Sequence, residues 1–228
     1  FPHHENEVAQ STCAHNGAPL ARLWMHNGFL TVDKEKMSKS VGNIVTVHQL
    51  LDHTPGEAIR WALLSAHYRQ PLDWSDDQLS QAKKTLDRFY LALDQVKAIK
   101  AEAANTPAAV MAALDDDLNT PVAMAEISAI ARALNSATTD ADKARLKGDL
   151  LAAGAILGVL QQEPAAWLKS GTSGSKVDAS EVERLIAARN AARKAKDFKE
   201  ADRLRDAIAA LGVVIEDRAD GTHWRMAG

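Results

Sequence analysis

At 228 residues, with 46% hydrophobic and 25% charged positions, the sequence has ordinary globular composition and enough length for more than one compact unit. A single cysteine excludes an internal disulfide framework, and no apolar run approaches the length that crosses a bilayer, so a cytoplasmic protein with no membrane partner is expected. The net charge of −3 excludes indiscriminate nucleic-acid binding, so any RNA contact must be local and charge must be counted segment by segment.

The chain opens on Phe1-Pro2-His3-His4-Glu5-Asn6-Glu7, which predicts a proline-initiated helix through Ala14, closed by an Asn16-Gly17 turn. Cys13, inside it, reads as a small buried residue rather than a ligand. His3 and Glu7 stand at i and i+4 on one helix face. By themselves they are either a surface hydrogen bond or two of the four donors of a zinc site, since zinc takes imidazole nitrogen and carboxylate oxygen alike. An extended stretch around Gly28 to Val32 leads into Lys36-Met37-Ser38-Lys39-Ser40-Val41-Gly42-Asn43. Two lysines three apart, with serines beside them and a glycine behind, make either a solvated turn or a mobile cationic loop. Such a loop could donate charge-assisted hydrogen bonds to oxyanions that form when a phosphate is attacked. Thr46-Val47-His48-Gln49 and Thr54-Pro55-Gly56-Glu57 both fit the capping-box pattern, the second with proline at the first helical position and an apolar face of Ile59, Leu63 and Leu64. His67-Tyr68-Arg69 follows, and Pro71 breaks the chain.

From Ser75 to about Trp167 an alanine-rich helical bundle is predicted. Ser75-Asp76-Asp77-Gln78 caps a helix with Leu79, Leu86, Phe89, Tyr90 and Leu93 on its stripe. Thr120-Pro121 starts another carrying Met124, Ile127, Ala131 and Leu134, and Leu146, Leu150, Ile156, Leu157 and Leu160 supply a third. The triplet Asp115-Asp116-Asp117 is assigned to a helix end or a helix start rather than a metal site, because three consecutive carboxylates on a helix diverge. Lys169 to Lys176 is a linker by composition. Beyond it a helix begins near Ser180 with Val182, Leu185 and Ile186 inward. A second helix bearing Ala201, Leu204, Ile208 and Leu211 is stopped by Gly212. Val213-Val214-Ile215 then reads as a strand, Asp220-Gly221 as a turn and Thr222 to Arg225 as the return. Between Arg189 and Arg205 seven basic residues face three acidic ones. Such a run is a solvated helix face or a base-reading surface. Arg189 and Arg193, the aromatic Phe198 and the carboxylates Asp202 and Asp217 suit the second, through stacking and hydrogen bonds to base edges.

The pentapeptide Lys36 to Ser40 resembles the second ATP-binding motif of class I aminoacyl-tRNA synthetases. The opening heptapeptide looks like the one just upstream of that motif in cysteinyl-tRNA synthetases, and the tail from Arg189 through Trp224-Arg225 resembles the anticodon-binding end of the same family. The likeness spans essentially the whole chain. It implies a mainly α fold: the C-terminal part of a class I catalytic domain with a stem-contact region over 1–75, a helical bundle over 76–167 against the inside of the tRNA, a linker over 168–177, and a small α+β anticodon-binding domain over 178–228. It also implies that Lys36 and Lys39 are catalytic, with Lys36, Met37, Ser38, Lys39 and Ser40 binding ATP and its magnesium. His3 and Glu7 would complete a zinc site with two cysteines from earlier in the family's chain, the metal binding the substrate thiolate. Arg189, Arg193, Phe198, Asp202 and Asp217 would read tRNA(Cys), although many family members carry tryptophan at the position of Phe198. No His-x-Gly-His element precedes the loop, so the expectation is the C-terminal half of the enzyme, inactive without its nucleotide-binding half. The implied reaction joins cysteine and ATP into cysteinyl-adenylate and transfers cysteine to tRNA. A cysteine-activating ligase of mycothiol synthesis and a nonenzymatic tRNA-binding module remain as alternatives.

Overall fold

The computed structural model describes residues 2–38, 40–169, 178–218 and 221–226. The architecture is mainly α, with a small two-stranded sheet at its C-terminal end. Helix α1 (Pro2–Ala14) forms as the sequence predicts, and Asn16 and Gly17 end it in left-handed geometry. It buries none of its residues. Cys13, expected inside, is exposed, because Val8 is the helix's one large aliphatic side chain and no apolar stripe exists for Cys13 to share.

Strands β1 (Leu30–Val32) and β2 (Glu35–Lys36) pair antiparallel through Asp33 and Lys34. Both turn residues have positive φ, 50° and 67°, the geometry of a two-residue hairpin whose twist matches the strands. Strand β3 (Leu72–Trp74), invisible in the sequence as three residues behind a proline, pairs parallel to β1 and completes a three-stranded sheet in the order β2-β1-β3. Gly28 permits the approach: a Cβ there would lie 2.2 Å from the Gln70 carbonyl oxygen.

Helix α2 (Val47–Leu51) carries the expected capping box, Thr46 accepting from the Gln49 amide and Gln49 reaching back. Helix α3 (Gly56–Leu64) does not. Pro55 occupies its N-cap and no side chain caps it, because Glu57 turns inward. The Glu57 carboxylate accepts from the Tyr90 hydroxyl at 2.9 Å and from the amides of Leu160 and Gln161 at 2.8 and 3.1 Å. Three donors, two of them buried, outcompete the single exposed amide that a capping box would satisfy. The buried face of α3 is accordingly Ala58, Ile59, Trp61 and Ala62, while Leu63 is 42% exposed.

Helix α4 (Asp76–Gln95) is capped by Ser75 and buries its predicted stripe. Helix α5 (Ala108–Asp115) escaped the sequence reading because Pro107 begins it without a polar cap. Helix α6 (Thr120–Ser136), capped by Asn119, buries Met124, Ile127, Ala131 and Leu134 as expected. Helix α7 (Asp140–Leu157) stops at Gly158 (φ 68°). Leu150 and Leu157 are buried, but Ile156 is 43% exposed, and Leu160 reaches the core from beyond the helix end. Helix α8 (Pro164–Lys169) brings Trp167 onto Tyr90, ring centroids 4.5 Å apart, and Trp167 Nε1 donates to Asp87 at 2.7 Å. One continuous core runs from Val32 to Trp167.

The linker residues 170–176 lie outside the described residues. Helix α9 (Ala179–Lys194), helix α10 (Phe198–Ala210) and strands β4 (Val213–Arg218) and β5 (Gly221–Met226) then enclose a second, smaller core of Val182, Ile186, Ile208, Val213 and Trp224. Leu211, expected inside, caps α10 and is 37% exposed, since Gly212 (φ 72°) turns the chain away there. Of the expected turn, Asp220 lies outside the described residues. No described helix is long and apolar enough to cross a membrane.

Candidate functional site

The lysine loop leaves β2 at Lys36, which is exposed. Met37 packs against the main core, so the backbone enters the loop from a fixed point. Asn43 then closes it: its Oδ1 accepts from the Ser38 amide at 2.9 Å and its Nδ2 donates to the Lys36 carbonyl at 3.3 Å. The Ser38 carbonyl accepts from Gly42, whose φ of 75° only glycine adopts freely, and the Ser38 and Ser40 hydroxyls stand 3.2 Å apart. Asp73 steadies the hairpin beneath, accepting from the Thr31 hydroxyl and the Lys34 amide, each at 2.7 Å. Those bonds hold its carboxyl below the usual range, the Thr31 hydroxyl contributing most. Lys39, the second predicted cation, lies outside the described residues. The bracing role of Asn43 was missed in the sequence, although an Asn directly after a turn glycine is a residue type that bonds nearby backbone.

His3 and Glu7 both lie exposed on α1, one turn apart. His4 is engaged elsewhere, stacked on His26 at 5.5 Å. No group of three or more His, Cys, Asp or Glu among the described residues could hold a metal. The donor types of the pair suit zinc, but they amount to half of a tetrahedral set.

Where α3 gives way to β3, Arg69 Nε and Nη2 donate to the Asp117 carboxylate at 2.6 and 3.0 Å, and the Tyr68 hydroxyl donates to it at 2.7 Å. Asp117 is held at about 2, chiefly by Arg69 and then by Tyr68. Of the two roles expected for the acidic triplet, a helix end or a helix start, it takes the first, closing α5, and its last member clamps the bundle to the Tyr68-Arg69 turn.

At the tip of the C-terminal unit, Arg189 and Asp217 form a bidentate pair, Nη1 to Oδ1 and Nη2 to Oδ2 both at 2.9 Å. Arg193 Nη1 donates to the same carboxylate at 2.5 Å, and the Thr222 hydroxyl does so at 2.8 Å. Four donors fill the acceptor capacity of a carboxylate, and Asp217 is driven far below the usual range, first by Arg189 and next by Thr222. Arg189 is buried, 9% exposed, whereas half of the Arg193 side chain faces solvent. Phe198, at the first turn of α10, is 65% exposed. Arg193, Phe198 and Asp217 line one open hollow with Asn190, Lys194 and Thr222. Arg189 is tied to that group through Asp217. Asp202 does not line the hollow; it is exposed and 3.4 Å from Arg205 Nη1, though near enough to Arg189 to help hold its charge. Asn190, which donates to Thr222 at 3.1 Å, was not foreseen.

Three family models match the chain: "tRNA synthetases class I (C) catalytic domain" over residues 1–84, "DALR domain" over 105–161 and "Cysteinyl-tRNA ligase anticodon binding domain" over 179–225. Among curated relatives, the Cysteine–tRNA ligase of Parvibaculum lavamentivorans is 58% identical over 229 residues, covering 100% of this chain and 49% of the relative. That of Xanthomonas campestris pv. campestris is 56% identical over 227 residues, with 100% and 49% covered, and that of Rhodospirillum rubrum 54% over 228, with 100% and 50%. The chain spans about half the length of these relatives. With a class I catalytic segment, a DALR domain and an anticodon-binding domain in that order, the chain belongs to the cysteine–tRNA ligase family.

Proposed function

We propose that this chain carries the ATP-facing lysine loop, half of a zinc site and the tRNA-reading domains of a cysteine–tRNA ligase. The full protein would activate cysteine with ATP to cysteinyl-adenylate and transfer it to tRNA(Cys). The observation that carries the reading is the tip hollow, where Phe198 offers a ring face to solvent beside Arg193, which Asp217 holds in place. An exposed aromatic stacks on an unpaired base, and the remaining N–H groups of Arg193 suit acceptor edges such as those of guanine. Asp217 and the buried Arg189 orient Arg193, and Asp202 flanks the group.

At the other end, Lys36 and Lys39 are the cations that stabilise charge on the attacked phosphate, with Met37, Ser38 and Ser40 shaping the loop around ATP and its magnesium. Met37 and Asn43 keep that loop braced before substrate arrives. His3 and Glu7 would hold zinc together with donors from the rest of the full-length protein. When bound, zinc supplies a soft centre that takes the substrate thiolate and separates cysteine from serine. Leu23 and Phe29, 82% and 81% exposed, are proposed to meet that same missing portion.

The test compares tRNA(Cys) with a transcript of altered anticodon. Phe198→Ala and Arg193→Ala in the full-length enzyme should lose about 1 to 3 kcal/mol toward the first and much less toward the second. Equal losses toward both, or none, would remove the tip as anticodon reader.

A further inference from the structure

We propose that Asp73 and Asp117 are positioning residues for adenylation: they grip the two ends of the segment 68–74, and that segment sets where the lysine loop begins. The inference rests on the assignment of Lys36 and Lys39 to the phosphates of ATP and adds the parts that aim them.

The hairpin that delivers Lys36 does not hold its shape alone. Asp33 and Lys34 make its two-residue turn with φ of 50° and 67°, a geometry in which the second place ordinarily goes to glycine. Strand β2 is two residues long and lies at the sheet edge, paired only with β1. Val32 and Glu35 pair across the turn, which leaves the amides of the two turn residues without a ladder partner. Strand β3 takes both. Asp33 donates to the Trp74 carbonyl at 3.1 Å and Lys34 to Asp73 Oδ1 at 2.7 Å. The Thr31 hydroxyl donates to that same oxygen at 2.7 Å. One carboxylate atom thus ties β1 and the turn to β3, and Lys36 follows the turn by two residues.

The other end of the segment is tied to the bundle. The His67 ring stacks on Tyr68, centroids 4.9 Å apart, and the Arg69 guanidinium lies 4.9 Å from the Tyr68 ring centre, so the three residues form one block. Asp117 holds that block through the Tyr68 hydroxyl and two Arg69 nitrogens. The Tyr68 carbonyl accepts from the Gly28 amide at 2.7 Å and the Phe29 carbonyl from the Leu72 amide at 2.9 Å, which locks the segment to the start of β1. Pro71, with its fixed φ, stiffens the span between the clamps.

Strain marks the same two places. Of the seven non-glycine residues with positive φ among the described residues, four are Asp33, Lys34, Asp117 and Leu118. Such backbone persists only where its surroundings over-determine it. Val32 and Trp74 are buried in the main core, so cutting either clamp leaves the sheet in place and lets the hairpin tip drift. A displacement of about 1 Å at a reacting group costs on the order of 100-fold in rate.

The experiment measures ATP–pyrophosphate exchange by the full-length enzyme, with Lys36→Ala as the reference for loss of the loop. Asp73→Ala should lower kcat about tenfold with KM for cysteine unchanged. Asp73→Asn should recover most of the rate, because one amide oxygen can accept both bonds that Oδ1 accepts. Asp117→Ala should lower kcat about fivefold, and Asp117→Asn should not restore it, since Arg69 Nε and Nη2 use both carboxylate oxygens. The clamps act in series on one segment, so the double alanine variant should fall no more than about twofold below the slower single variant. Losses that multiply, a rise in KM for cysteine, failure of Asp73→Asn to recover, or full activity of both alanine variants while Lys36→Ala is inactive overturns the positioning role and leaves the loop assignment standing. Full activity of Lys36→Ala overturns both.

Discussion

Replacing Asp217 by Asn asks how much of the tip is held by its polar network rather than by its small apolar core. The amide keeps one acceptor oxygen, so the Thr222 hydroxyl and one arginine N–H can still be satisfied, but the bidentate pair with Arg189 is lost. Breaking a fully buried pair costs about 3 to 5 kcal/mol. Here Arg189 is only 11% exposed at its side chain but Asp217 is 40% exposed, so solvent screening reduces this to about 2 kcal/mol. The more exposed Arg193 contact adds about 0 to 1 kcal/mol. A total of about 2 to 3 kcal/mol corresponds to a loss of protection in native-state hydrogen exchange of roughly 30- to 150-fold at the β4–β5 amides. The pH dependence has a definite sign. Asp217 titrates lower in the folded state, so its contribution is complete above the ordinary carboxylate pKa of about 4 and fades as pH falls toward the depressed folded value. Hairpin protection in the unsubstituted protein should therefore decline below about pH 4, and in Asp217→Asn this component should be missing. Protection within twofold of the unsubstituted protein at pH 7 would show that the network does not hold the tip.

Two further substitutions probe the rest of the chain. Glu57→Gln leaves a donor amide facing a buried backbone N–H, a cost of about 2 to 3 kcal/mol, or roughly 4 to 12 °C in Tm by circular dichroism; a shift under 2 °C would mean that the carboxylate is not the latch between α3, α4 and the turn after α7. Asn43→Ala removes both clamps on the lysine loop, so ATP–pyrophosphate exchange by the full-length enzyme should fall about tenfold with tRNA affinity unchanged, and undiminished exchange would deny the loop its bracing.

What the sequence determined by itself is whatever is written within one helical turn or one strand pair. The Ser75 cap, the Thr46–Gln49 box, the α6 stripe and the β4–β5 hairpin all depend on residues one to a few positions apart, and local periodicity exposes them. The lysine loop and the His3/Glu7 pair stand out as short motifs for the same reason, while the ATP and zinc roles proposed for them come from the family resemblance. Glu57 shows where that ends. Its local pattern reads as a cap, yet its partners include the amide of Leu160, 103 positions away, and the stronger buried donors won. The fate of β3 was decided likewise, since three residues behind Pro71 become a strand only because β1 lies alongside with a glycine at Gly28. At the tip the sequence named Arg189, Arg193, Phe198, Asp202 and Asp217 as equals. Folding ranked them by bringing Asp217, 28 positions from Arg189, over a helix that buries one arginine and leaves the other in solvent. Charge and residue type are properties of the chain, but whether a charge faces a partner, the core or water is settled only when distant segments compete for the same donors.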